Sequence, residues 1–151
     1  MNFHKYNRIL MPTDGSKCSI KASKHALWVA DMSDAVIIVL HVVDTHILQL
    51  GYSGFFSEDI YEILKKEGKE TIEKFRKKLE ENKSKCSHDI KIITKIRDGE
   101  PYDEIVKTID EENIDLVVIG ASGRHGIDRL LLGSVTERVI RKSAAPVLVV
   151  H

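Results

Sequence analysis

Apolar residues fall into five short runs along the chain, and longer stretches of mixed polarity separate them. Four of the runs are continuous and rich in Val and Ile, which is typical of strands buried on both faces of a parallel sheet. The remaining run, Ile90–Ile96, alternates apolar with polar residues and therefore indicates an edge strand with one wetter face. The four continuous runs are Arg8–Pro12, Ala35–Val43, Asp115–Gly120 and Pro146–Val150.

Helical patterns fill the intervals, with starts near Ser16, Ser57, Pro101 and Ser134. Ser134 and Glu137 match a capping box at the start of the last helix. Strands and helices therefore alternate strictly, which predicts an α/β fold: a doubly wound, open, five-stranded parallel sheet with helices on both faces. The helix that starts near Ser57 is expected to bury one apolar stripe, consisting of Ile60, Ile63, Leu64, Thr71, Ile72, Phe75 and Leu79.

Composition narrows the class of protein. The 151 residues suit one domain, 1–151, and a hydrophobic content of 42% with 30% charged residues is that of a globular protein. Lys and Arg number 23, as do Asp and Glu, so the net charge favours neither nucleic acid nor an anionic membrane as a partner. No apolar run approaches the roughly 20 residues of a membrane span, and the first residues lack the apolar core of a signal peptide. We therefore expect a cytoplasmic protein.

Cysteine and histidine add little chemistry. Cys18 and Cys86 are far apart and form no CxxC pair, so both are interpreted as idle reduced thiols. The seven histidines form neither HxxxH nor HExxH, so the sequence predicts no structural metal. His41 lies within a predicted strand and is interpreted as a packed core residue.

Two predicted strand ends are unusually rich in turn-forming and hydroxyl residues. The first strand ends in Pro12-Thr13-Asp14-Gly15-Ser16, and the fourth continues from Gly120 through Gly123 to Gly133 and Ser134. Open α/β sheets bind ligands beyond the carboxyl ends of their strands. If both ends form one site, the first and fourth strands are neighbours in the sheet.

The glycine-rich segment has the parts of an anion site. Gly120 and Gly123 would allow close backbone approach and positive φ, and Gly133 precedes a helix whose first N–H groups have no partner within the helix. Ser134 and Thr136 add hydroxyl groups. The alternative is that the glycines only make the turn and Ser134 only caps the helix. The segment is not a Walker A loop, because Gly133 stands where that motif has lysine.

The spacing Gly120-x2-Gly123-x9-Gly133-Ser134 resembles the nucleotide motif of the universal stress protein family. The resemblance covers the whole chain and includes Ile9–Ser16, Leu40–Val42, Leu130–Glu137 and Ala145–Val150. It implies a Rossmann-like fold of the adenine nucleotide alpha hydrolase type, with strand order 3-2-1-4-5. It also implies a homodimer that pairs its last strands, here Val147–Val150.

The same resemblance implies an ATP site with Mg²⁺ as the accompanying ion. Asp14 and the backbone of Val42 would hold the adenine end, and Pro12 and Thr13 would shape that pocket. Ile119 and Gly120 would lie under the ribose and phosphates. The phosphate path would be lined by Gly123, Gly133, Ser134, Val135 and Thr136.

Several alternatives stay open at the level of sequence. Asp14 would either assist Mg²⁺ or a ribose hydroxyl, or cap the first helix. Three basic residues after Gly123 would either reach phosphates or be solvated; they are Arg124, His125 and Arg129. The apolar segment Thr45–Phe56 would be a lid, a partner contact or an idle linker.

Three functions are consistent with these residues. The first is an ATP-binding protein of stress response or signalling without fast catalysis, because no P-loop lysine or Ser-His-Asp constellation is present. The second is a slow ATPase or AMP-forming enzyme on the same site. The third is an adaptor that binds a protein partner and no nucleotide.

Overall fold

The computed structural model describes residues 5–46, 58–122 and 131–151. Strands and helices alternate through these residues as the sequence predicts. Their bounds are β1 Arg8–Pro12, α1 Lys17–Ser33, β2 Val36–Asp44, α2 Glu58–Lys83, β3 Ile92–Gly99, α3 Pro101–Glu111, β4 Leu116–Gly120, α4 Ser134–Lys142 and β5 Val147–Val150.

The sheet is five-stranded and parallel, with the strand order β3-β2-β1-β4-β5. This confirms the predicted fold class and strand order. The pairing of β1 with β4, through Ile9 with Leu116 and Leu10 with Val117, confirms that the two unusual strand ends are neighbours. The edge position of β3 is also confirmed, although the strand runs from Ile92 to Gly99 and not from Ile90 to Ile96.

Two apolar layers hold the helices against the sheet. Ile9 and Met11 of β1 face the layer that contains α1 and α2, whereas Leu10 faces the layer that contains α3 and α4. Successive strand residues point to opposite faces, so a continuous apolar strand such as β1 supplies both layers. All three side chains are fully buried, and each contributes about 2 kcal/mol of burial free energy.

The stripe predicted for α2 is correct only in its second half. Ile72, Phe75 and Leu79 are buried, but Ile60 and Ile63 are 49% and 57% exposed. The helix packs on the sheet from Gly68 onward, so its first turns extend past the apolar layer. Periodicity gives the face of a helix but not how far along its length the sheet reaches.

No helix in the described part of the chain is long and apolar enough to cross a membrane.

Candidate functional site

A cavity of about 710 Å³ lies beyond the carboxyl ends of β1, β2 and β4. Its walls are the loop after β1, the last residues of β2, one side of α2 and the start of α4. The sequence-predicted site residues that line it are Pro12, Thr13, Asp14, Val42, Ile119, Gly120, Gly133, Ser134, Val135 and Thr136. The fold therefore brings together two segments that are more than one hundred residues apart in the chain.

The loop after β1 is fixed by its own short polar side chains. The Thr13 hydroxyl accepts from the Gly15 N–H at 3.1 Å and donates to the Ser19 hydroxyl at 3.1 Å. Gly15 has φ +78°, a left-handed conformation that favours glycine. Asp14 Oδ1 accepts from the Ser16 N–H at 2.9 Å. These bonds make a tight turn that delivers the chain from β1 into α1.

The cap of α1 is Ser16, whose hydroxyl accepts from the Ser19 N–H. The interpretation of Asp14 as the helix cap is therefore wrong. Asp14 braces the turn one step earlier and lines the cavity.

The end of β2 presents unpaired backbone to the cavity. In a parallel ladder the N–H and C=O of one residue point to the same side, and the side alternates along the strand. The Leu40 carbonyl accepts from the Thr13 N–H at 2.8 Å, so Leu40 points toward β1. Val42, two residues on, points the same way, but β1 has already ended at Pro12. The N–H and C=O of Val42 therefore face the cavity.

The start of α4 supplies a row of backbone donors. Gly133 is the cap residue, and the first helical bond joins the Glu137 N–H to the Gly133 carbonyl at 2.9 Å. The N–H groups of Ser134, Val135 and Thr136 precede that bond and have no acceptor within the helix. The predicted capping box is wrong, because Ser134 is the first helical residue and makes no capping bond.

Two residues predicted to lie along the ribose and phosphate path line the cavity and have structural roles as well. A Cβ on Gly120 would lie 2.9 Å from the backbone carbon of Cys18 and 3.0 Å from the Ser19 nitrogen. The absence of a side chain at Gly120 thus lets the first turn of α1 pack closely against β4. The positive φ expected at Gly120 is not observed. The Thr136 hydroxyl donates to the Gly120 carbonyl at 2.8 Å, so its hydrogen ties α4 to β4.

Sequence reasoning missed the contribution of α2 and misread His41. His41 is half-buried, lines the cavity, and places Nδ1 2.9 Å from the Thr13 carbonyl oxygen. Gly68 of α2 faces the ring: a Cβ there would lie 2.9 Å from Cδ2 and 3.0 Å from Nε2 of His41. The glycine in a long helix was the available signal, because glycine within a helix costs stability and is kept where a neighbour approaches closely.

The electrostatics of the cavity combine acidic side chains with helix N-termini. Asp14, Asp44 and Glu67 line it, and no lysine or arginine does so in the described part of the chain. The N-terminal residues of α1, α3 and α4 all reach the cavity. The positive ends of three helix dipoles favour an anion there.

Some predicted residues lie outside the described part of the chain. They are Gly123, Arg124, His125, Arg129 and most of the segment Thr45–Phe56. Among the described residues, no group of three or more His, Cys, Asp and Glu side chains is placed to hold a metal ion by itself.

Known proteins resemble this chain over almost its whole length. The model of the universal stress protein family matches residues 5–151. Universal stress protein MJ0531 of Methanocaldococcus jannaschii is 42% identical over 146 residues, which are 96% of this chain and 82% of that protein. Universal stress protein MJ0577 of the same organism is 35% identical over 159 residues, covering 96% and 94% of the two chains.

Solved structures agree with the sequence matches. The structure of MJ0577 superposes with a TM-score of 0.82 and covers 97% of this chain and 96% of its own. A universal stress protein in complex with cAMP is 27% identical, covers 98% of both chains and superposes with a TM-score of 0.68. One structurally similar relative thus holds an adenine nucleotide.

Proposed function

The chain belongs to the universal stress protein family, and from this premise we propose that it binds ATP with Mg²⁺ in the cavity described above. The bound nucleotide serves a stress-response or signalling role, and turnover is absent or slow. The observation that carries the proposal is the meeting of two sets of unpaired backbone groups in one cavity. They are the N–H and C=O of Val42 at one end and the first amides of α4 at the other.

The Val42 backbone fits the edge of adenine. The pairing edge of adenine offers an acceptor, N1, beside a donor, the N6 amino group. A strand residue offers a donor beside an acceptor, so both bonds form together. Guanine has a donor at N1 and an acceptor at O6. In the same orientation its N1–H would face the Val42 N–H and its O6 would face the Val42 carbonyl, so like groups would meet. Thr13 and Pro12 close the pocket on the β1 side, and Asp14 is assigned to the ribose or to Mg²⁺.

The start of α4 fits the phosphates. Three consecutive amides, of Ser134, Val135 and Thr136, point out of the helix end, and the helix dipole adds to their attraction for an anion. The Ser134 hydroxyl is not used for capping, so it is available to bond a phosphate oxygen. Gly123 belongs to the same proposed phosphate path through the motif spacing.

The charge of the cavity supports a divalent cation. A triphosphate would enter beside three carboxylates, those of Asp14, Asp44 and Glu67, with no lysine or arginine among the described lining residues. Mg²⁺ prefers carboxylate, phosphate and water oxygens, so it would relieve the repulsion between the acids and the phosphates. A cavity of about 710 Å³ falls within the usual size range of small-molecule sites.

Calorimetry tests the proposal directly. ATP is titrated into the purified protein with Mg²⁺ at near-physiological salt, and the titration is repeated with GTP and without Mg²⁺. The proposal expects ATP to bind, GTP to bind more weakly, and removal of Mg²⁺ to weaken ATP binding. Absence of ATP binding under these conditions refutes it. Release of ADP or AMP in a long incubation would instead favour the slow enzyme.

We also propose that the protein is a homodimer that pairs β5 with β5 of a second copy. β5 is a sheet edge, and Leu148 is 36% exposed on it. The ladder to β4 uses the carbonyls of Pro146 and Val150, so by alternation the Val147 and Val149 backbone groups face outward. An apolar edge with open hydrogen-bonding groups is a site for pairing with another strand.

A further inference from the structure

The β1–β2 ladder stops beside the side chain of His41. In a continuing parallel ladder the Thr13 carbonyl would accept the next backbone bond, from the Val42 N–H. That bond is not formed, and the carbonyl oxygen lies 2.9 Å from Nδ1 of His41. A carbonyl oxygen only accepts, so Nδ1 carries the hydrogen and donates it.

The imidazole is held in this position by α2. Gly68 packs directly on the ring, and an added Cβ would lie 2.9 Å from Cδ2 and 3.0 Å from Nε2, with the Val43 Cγ2 methyl at 3.2 Å. The 2.9 Å separation is shorter than real Cβ contacts and the other two are unusually tight, so a side chain at this position would press on the ring, and Gly68 leaves room for it. The ring, the Thr13 carbonyl and Gly68 thus form one packed unit at the cavity wall.

We propose that His41 is a positioning residue that ends the β1–β2 ladder and so keeps the Val42 N–H available to the bound base. By holding the Thr13 carbonyl, the imidazole prevents the backbone bond that would consume the Val42 donor. Gly68 contributes to this role because it determines where the ring packs. This inference rests on the proposed function for its effect on nucleotide affinity, but its effect on the Val42 amide is independent of any nucleotide.

Two substitutions with side chains of similar size distinguish the effect of the hydrogen-bond donor from the effect of side-chain shape. His41→Asn keeps an N–H donor at the position of Nδ1, whereas His41→Leu has the same branched outline without a donor. In His41→Leu the Thr13 carbonyl is released and accepts from the Val42 N–H. Hydrogen exchange of the Val42 amide, followed by NMR without nucleotide, is expected to slow about fivefold in His41→Leu and to stay near the wild-type rate in His41→Asn.

The same variants are titrated with ATP and Mg²⁺. We expect the Kd to rise about fivefold in His41→Leu and to stay within about twofold of wild type in His41→Asn. A residue with only a packing role would give the opposite pattern, because leucine suits an apolar wall better than asparagine. Equal exchange rates and equal affinities for the two variants overturn the inference.

Gly68→Ala tests the position of the His41 ring from the side of α2. Alanine favours a helix, so the variant is expected to fold, while its Cβ displaces the ring and weakens ATP binding. Asparagine has no atom at the Nε2 position, and its amide is not closed into a ring and can turn from the new Cβ. His41→Asn is therefore expected to restore part of the affinity in the Gly68→Ala background. Additive losses in the double variant contradict the coupling. If wild type binds no nucleotide, the proposed function fails, and the Val42 exchange rates still decide this inference.

Discussion

Replacing Gly120 by alanine tests whether this glycine serves the protein or the ligand. The new Cβ would lie 2.9 Å from both the backbone carbon and the Cβ of Cys18, and 3.0 Å from the Ser19 nitrogen. Two of these atoms are backbone, in the first turn of α1, and they cannot rotate away. Overpacking of this kind costs about 1–3 kcal/mol. The free energy of unfolding without nucleotide should fall by that amount.

Urea unfolding and thermal melting of the nucleotide-free protein measure the loss. For a chain of this length, about 1–3 kcal/mol corresponds to a fall in Tm of about 2–12 °C. Gly133→Ala is the control, since Gly133 has φ −61°, which alanine adopts readily. That variant should lose at most about 1 kcal/mol, the cost of a poorer N-cap. If Gly120→Ala is as stable as wild type and only binds nucleotide less well, the helix-contact explanation is refuted.

Three further predictions concern a buried hydroxyl, an acidic residue and the sheet edge. Thr136→Val should cost about 1–3 kcal/mol in urea unfolding, because the buried Gly120 carbonyl loses its donor; Thr136→Ser should keep most of the stability, and equal losses would contradict the role of the bond. Bonding to Lys95 lowers the pKa of Glu112 below its ordinary 4.5, so the stability it adds is fully present above about that pH and is lost as the pH falls through the lowered value. The gap in urea midpoint between wild type and Glu112→Gln should therefore close below about pH 4.5, and a gap that widens on acidification would refute this sign. Val149→Pro should abolish the dimer in light scattering while β5 stays paired with β4, because it removes an outward N–H only; a dimer that survives would show that the subunits associate elsewhere.

The alternation of buried strands with amphipathic helices was readable from the sequence because each signal is local. Continuous apolar runs such as Arg8–Pro12 mark strands that are covered on both faces, and Pro101 marks the start of a helix with its fixed φ. These signals gave the class of the fold without any long-range information. The strand order came from the resemblance, and the expectation that β1 and β4 are neighbours came from their unusual ends.

The two halves of the cavity were also visible in the sequence, but the duties of individual residues were not. Ser134 was predicted to cap a helix that Gly133 caps, and Gly120 was predicted to allow a positive φ, whereas its missing side chain makes room for Cys18. In each case a residue type suits two roles equally well. The choice depends on which atoms stand a few ångströms away, and distant parts of the chain supply those atoms.

The sequence by itself determined the elements, the fold class and the location of the candidate site at two strand ends. Only the tertiary structure decided that the pairing of β1 with β2 stops short of Val42, and that the His41 ring hydrogen-bonds the Thr13 carbonyl. It also decided that Gly68 leaves space for the imidazole ring. Elements form from neighbours within a few residues, whose periodicity a sequence displays. A pocket is made where helices and strands from distant segments meet, and the hydrogen bonds and clearances at that junction exist only after packing has placed them.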